Sequence, residues 1–327
     1  MKEGRFHAVM TAIVLPVAVF SVCGAYAWQI TVAPGQVVAR AALLLALLAG
    51  AAFYRWRRLE KAVNLILMTF WGILVTNLYL VPEHLAARRS VGWGDALLAR
   101  ADAALGIEVP DVLRLVETFP AVGRALAIAY ALLIFLIMLA IMVPPMCGRM
   151  DKAKEYAIAC LFAAAVSIPL LLVFQAIGPW SVYSYPASPE QEGAARTLLA
   201  LKSDAPFLLD LDNHAGLICF PSFHTILAVL AASALWGVRY LRWPAAILAA
   251  LIVVSTVTTG WHYVVDVLGG LVVAAASLAV AQGYLRLEQT ESWAFWKRPK
   301  VTARQRDAGS REEDKADNLA LTLQSDR

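Results

Sequence analysis

The chain has 327 residues, of which 60% are hydrophobic and 16% charged. Soluble domains carry roughly 25% charged residues, so a water-borne globule is excluded and much of the surface must face lipid. The net charge of +4 is divided into short basic clusters between apolar blocks, which leaves no stripe for a nucleic acid.

A helix needs about 20 apolar residues to cross the hydrocarbon core. Eight runs are predicted to do so: 8–30, 38–54, 62–82, 122–145, 155–178, 217–239, 243–259 and 263–286. The expected fold is therefore all-α, a polytopic membrane bundle, since every backbone group in lipid must be satisfied internally. The first run exceeds a signal h-region and shows no cleavage site, so it reads as a retained span. The second and seventh are short, and Ser255, Thr256, Thr258 and Thr259 make the seventh semi-polar. Between the third and fourth runs, Asp95–Asp102 and Val112–Val116 have helical apolar spacing and predict short interfacial helices. After the eighth run, Trp293 and Trp296 suit a membrane-interface belt, and the charged tail from 299 reads as disordered. The expected organisation is two N-terminal spans (1–59), a membrane domain (60–286) and a cytoplasmic tail (287–327).

Loop charges orient the chain. With the N-terminus inside, short cytoplasmic segments hold Lys2 and Arg5; Arg55, Arg57, Arg58 and Lys61; Arg149, Lys152 and Lys154; and Arg239 and Arg242. The far longer outer segments hold Arg40, Arg88, Arg89, Arg100, Arg114, Arg124, Arg196 and Lys202. This bias follows the positive-inside rule and predicts an inner or plasma membrane protein with cytoplasmic termini. Cys23, Cys147, Cys160 and Cys219 lie in or beside apolar runs without a CxxC pair, so they read as small apolar side chains.

The chemistry concentrates late in the chain. Of five histidines, His7 and His84 read as hydrogen-bonded residues near span ends. His224 opens the sixth span in Pro221-Ser-Phe-His-Thr225, and His262 opens the eighth in Gly260-Trp-His-Tyr-Val-Val-Asp266. Two crossings separate them, so both emerge on the same side. His262 and Asp266 are spaced i, i+4 and share a helical face. A neutral imidazole is a competent nucleophile toward phosphorus, and a carboxylate one turn away can hold its other ring N–H. A second histidine can act as general acid and base. Ser222, Phe223 and Thr225, with the N–H groups of a helix start, are candidate phosphate ligands. Two alternatives stand beside this reading. One is a metal site on His224, His262 and Asp266 with Asp210, Asp212 or His214; the other is a non-catalytic lipid-binding or transport protein.

These residues resemble the type 2 phosphatidic acid phosphatase superfamily, whose signatures are KxxxxxxRP, PSGH and SRxxxxxHxxxD. Pro221-Ser-Phe-His224 is similar to the second, with Phe223 in place of Gly. Ser255-Thr256, His262 and Asp266 match the third in spacing, with Thr256 in place of Arg. The first signature is absent. The stretches Ala101–Gly106, Phe119-Pro120 and Ala129-Tyr130 are similar to the branch containing fungal inositol phosphorylceramide synthase. The resemblance implies a six-helix core, His262 as a nucleophile forming phosphohistidine, Asp266 as its orienter and His224 as general acid and base. It implies a lipid phosphate or phospholipid substrate at the extracytoplasmic end and no metal or other cofactor. The missing signature cations need replacing, and Arg196 and Lys202, in the loop before His224, are the candidates. Substrate, acceptor and oligomeric state stay open.

Overall fold

The computed structural model describes residues 2–203, 205–212 and 216–296. Among these, thirteen helices dominate. In order they are α1 (Lys2–Ala27), α2 (Pro34–Trp56), α3 (Glu60–Arg89), α4 (Asp95–Ala104), α5 (Val109–Glu117), α6 (Pro120–Ala131) and α7 (Leu133–Met146). There follow α8 (Met150–Val173), α9 (Trp180–Tyr183), α10 (Pro189–Lys202), α11 (Phe223–Trp236), α12 (Arg242–Thr258) and α13 (Val264–Trp296). The chain divides into two compact units, Met1–Gln282 and Gly283–Arg327. Among the described residues the fold is all-α apart from two three-residue strands. The side chains of Trp293 and Trp296, the tail from 299 and His214 lie outside the described residues.

Helices α1, α2, α3, α8 and α13 are each long and apolar enough to cross a membrane. The predicted span 122–145 is a pair, α6 and α7, bent by 42°. The bend has a local cause. The Leu132 N–H is shared between the Ile128 and Ala129 carbonyls at 3.0 and 3.1 Å, a tightening that breaks the regular α ladder. The sixth and seventh runs appear as the shorter apolar helices α11 and α12. Residues 217–222, predicted as part of the sixth span, are non-helical and enter α11 through a cis Phe220–Pro221 bond. The two expected short helices are α4 and α5. Large side chains such as Val22, Leu45 and Phe135 stand exposed, as they would on a lipid-facing wall.

Inside the first unit, α11 packs against α12, α7 and α8, and α3 against α1, α2, α7 and α8. Strand β1 (Ile30–Val32), between α1 and α2, pairs in parallel with β2 (Phe207–Leu209), in the segment before α11. Residues 28–37 and 205–212 therefore lie at one end of the bundle. Polar contacts fasten the same join. Gln36 donates to Asp210 and Asp212, and Arg40 donates to Asn77, the Leu211 carbonyl and Asp212. These bonds hold Asp210 and Asp212 against α2, which is where the structure places two of the carboxylates considered for a metal.

Candidate active site

The site is built around the loop between α12 and α13. Gly260 adopts φ +74°, a left-handed conformation that glycine reaches without strain. A Cβ there would stand 2.9 Å from the Tyr185 hydroxyl, which donates to the Gly260 carbonyl at 2.8 Å. The N–H groups of Trp261 and His262 both turn back to the Thr256 carbonyl at 3.2 Å. Thr256, at the position of the missing signature Arg, is buried and spends its hydroxyl on the Val253 carbonyl. His262 is thus held by backbone bonds just ahead of α13, not on the helix itself.

Two buried carboxylates from α4 clamp this loop. Asp102 accepts from the Val264 and Val265 N–H groups, each at 2.8 Å, and so caps the N-terminus of α13 from a distant part of the chain. Burial raises the pKa of Asp102, and those two backbone bonds oppose the rise. Asp95 accepts from the N–H groups of Ile177 and Gly178 and from the Tyr263 hydroxyl at 3.1 Å. Tyr263 is fully buried among Leu98, Ala99, Val109 and Val257. Sequence reasoning saw α4 only as an interfacial helix. The available signal was the i, i+7 spacing of Asp95 and Asp102, which puts both on one face.

Within this frame the predicted residues meet. The His224 and His262 rings lie edge to face with centroids 5.7 Å apart. Nδ1 of His262 lies 3.0 Å from the Cys219 carbonyl and 3.4 Å from Oδ2 of Asp266. A carbonyl oxygen only accepts, so Nδ1 carries the proton and the neutral ring keeps its lone pair on Nε2. Burial pushes the His262 imidazole down to about 4, against the raising effect of the Cys219 hydrogen bond. Asp266 is fully buried; its Oδ2 also accepts from the Tyr263 N–H at 2.8 Å and the Cys219 thiol at 3.2 Å. His224 Nε2 is 3.0 Å from the Tyr130 hydroxyl, and the two rings stack at 4.8 Å. Tyr130 also faces Trp261 in parallel at 6.5 Å, and Trp180 meets Trp261 edge-on. The bend between α6 and α7 sits next to Tyr130, a residue that the sequence offered only as part of a weak resemblance.

His224 and His262 line one cavity of about 1000 Å³ together with Tyr130, Trp180, Trp261 and Phe223. Ser222 and Thr225 lie outside its wall. Ser222 is the N-cap of α11, its hydroxyl accepting from the Thr225 N–H at 3.3 Å, and Thr225 is buried with its Cβ side toward Gly270 of α13. Arg196 is exposed on α10. Lys202 bonds the hydroxyl and carbonyl of Ser90, beyond α3, and lies 5.7 Å over the Trp93 ring. Neither cation lines the cavity, whose described wall holds no Lys or Arg but two carboxylates, Glu83 and Glu190. Glu83 accepts from the Leu217 N–H at 2.6 Å. The metal-type grouping among the described residues is Cys219, His262 and Asp266, with ligand atoms within 4.8 Å of one another.

A family model described as the PAP2 superfamily matches residues 96–280, a span that begins one residue after Asp95 and contains Asp102 and every residue of the His–His–Asp set. No curated protein and no solved structure matches the chain.

Proposed function

Because the chain belongs to the PAP2 superfamily, whose members are phosphatases or phosphotransferases acting on phosphate esters, we propose that it cleaves the phosphate-bearing head group of a membrane lipid through a phosphohistidine. The observation that carries this reading is the His262 hydrogen bond to the Cys219 carbonyl, which leaves Nε2 as the nucleophilic nitrogen beside His224. Nε2 attacks phosphorus as the bond from phosphorus to the leaving oxygen breaks, and His224 delivers a proton to that oxygen. Asp266 stabilises the positive ring that results. Water or an alcohol, deprotonated by His224, then takes the phosphoryl group and restores His262. The first-turn N–H groups of Phe223 and His224 in α11 are the proposed phosphate donors, with Ser222 and Thr225 fixing that turn from behind. The loop charges argue for an extracytoplasmic site.

Transfer to a polyol is a second reading, favoured by the aromatic faces of Tyr130, Trp261 and Trp180 beside the histidines. It agrees with the resemblance to the inositol phosphorylceramide synthase branch. The test is head-group release from lipid phosphomonoesters, diphosphates and phosphodiesters by the purified protein in detergent, with EDTA present and His262→Ala alongside. Release that survives EDTA and vanishes in the variant is expected. An active His262→Ala protein would overturn the mechanism, and release abolished by EDTA would favour a metal on Cys219, His262 and Asp266.

A further inference from the structure

The cavity that reaches His224 and His262 does not stop at them. It runs down one face of α3 through Met68, Trp71, Val75, Tyr79 and Glu83, successive positions at helical spacing. From Trp71 to Glu83 is twelve residues, about 18 Å at about 1.5 Å per residue. Its wall changes character along that length. Glu83, Glu190, Tyr130 and Trp261 stand at the histidine end, whereas Ile134, Ile137, Ile141, Ala153 and Ala157 line the far part. Small side chains at Gly72, Ala153 and Ala157 leave the volume open. At the far end Trp71 and Met68 are buried. The Trp71 indole N–H donates at 2.8 Å to Nδ1 of His7 on α1, and the two rings stack. That bond satisfies the polar edge of the indole from behind, so its apolar body can close the cavity. Both α1 and α3 lie outside residues 96–280, so this wall and its floor are additions to the matched region.

We propose that this channel binds a single aliphatic tail of the phosphoester substrate, with the His7-braced Trp71 as a floor that limits tail length. The proposal rests on reading the histidine pair as the phosphoryl-transfer centre. A C–C bond of about 1.52 Å advances an extended chain by about 1.25 Å, so 18 Å holds about 14 carbons. Tails up to that length fit between the histidines and Trp71, and longer ones meet the indole. A hydrocarbon already dissolved in lipid gains little by entering an apolar channel, so the channel acts by rejecting long tails more than by attracting short ones.

The test uses full-length protein in mixed micelles and alkyl p-nitrophenyl phosphates with tails of 8 to 22 carbons, followed by nitrophenol release. Saturated and isoprenyl series are run in parallel, and their relative rates say which tail type the channel prefers. Expected is a plateau to about 14 carbons followed by a drop of tenfold or more. Trp71→Ala moves the drop to longer tails, and Gly72→Leu, which crowds Ile141, moves it to shorter ones. An absent drop, or one that stays in place in both variants, would overturn the tail site. A tailless substrate, methyl p-nitrophenyl phosphate, separates the two layers. If His262→Ala still cleaves it, the catalytic reading fails; if only the length dependence is missing, the tail site fails alone. Wild-type protein gives a second readout that needs no variant. Dodecyl phosphate with a terminal diazirine should label 68–72 and 153–157 on illumination, and label confined to lipid-facing α2 would overturn the proposal.

Discussion

Asp102 offers the sharpest test of how the site is held. Its carboxylate is fully buried and accepts two backbone N–H groups at 2.8 Å from the first residues of α13. Asp102→Asn keeps the shape but turns one acceptor into an NH₂ group that faces an N–H. Losing a hydrogen bond to a charged group costs about 1.5–3 kcal/mol, and losing the charge at a helix N-terminus about 0.3–1 kcal/mol. Burial opposes the charge, as the raised pKa of Asp102 shows, so a neutral amide recovers part of this. A net loss of about 1–3 kcal/mol remains. In a chain of this size each kcal/mol moves Tm by about 2–4 °C, so a fall of about 2–12 °C is expected in detergent by circular dichroism. Activity should fall further than stability, because His262 is two residues from Val264 and takes its position from the same turn. The control is Asp111→Asn, an exposed carboxylate paired with Arg114 on α5, where an effect under about 1 kcal/mol is expected. If Asp102→Asn and Asp111→Asn match in both Tm and kcat/KM, the clamp argument is wrong.

Other outcomes follow from the same geometry. Asp266→Asn should reduce kcat by about 10²–10⁴ with little change in KM, since an amide cannot stabilise the charged ring; an equal loss in KM alone would point to a binding role. Tyr130→Phe removes one hydrogen bond to His224 and should lower kcat/KM by about two- to tenfold, measured with the nitrophenyl substrates; no change would detach Tyr130 from the reaction. The His262 imidazole, held down to about 4, is neutral and nucleophilic above that value and protonated below it. The acid limb of kcat/KM should therefore lie near pH 4, and a limb at an ordinary histidine value, about 6.5, would contradict the burial argument. Phosphodiester lipids should be cleaved faster than monoesters of the same tail, a comparison made by head-group release at saturating substrate.

Much of this architecture is legible in the residues because lipid makes strong demands on them. Eight apolar runs correspond to five long helices, one bent pair and two short helices, and the rings of His224 and His262, expected on the same side, lie with centroids 5.7 Å apart. The i, i+4 spacing brings His262 within 3.4 Å of Asp266 even though His262 precedes the helix. What escaped were roles that depend on direction. Asp95 and Asp102 are carboxylates on a short helix, and only packing against the α12–α13 loop reveals that both point inward. Ser222 looks like a phosphate ligand in sequence, whereas its hydroxyl caps α11. Lys202 sits before His224 in the chain, but α10 carries it to Ser90 and Trp93. Charge in a loop identifies a cation without saying which way it reaches. The β1–β2 pairing was equally invisible, since three-residue strands carry too few side chains for a period.

The charge balance at the histidines bears on what the enzyme acts upon. A phosphomonoester brings about −1.5 to −2 charges, and phosphoryl transfer depends chiefly on positioning and on neutralising such charge. The described cavity wall offers no Lys or Arg and adds Glu83 and Glu190. Apart from the proton that His224 brings as general acid, what faces the reacting group is neutral or fractional: the N-terminus of α11, the Tyr130 hydroxyl and the indoles of Trp180 and Trp261. A helix N-terminus is equivalent to roughly half a positive charge. That is close to a match for one negative charge and a poor match for two, and the desolvation cost of a second charge in a buried site is several kcal/mol. A phosphodiester carries a single charge and suits this site, while a monoester would need a cation from elsewhere. The lack of Lys and Arg in the described wall thus supports the proposed cleavage of a phosphodiester over removal of a terminal phosphate.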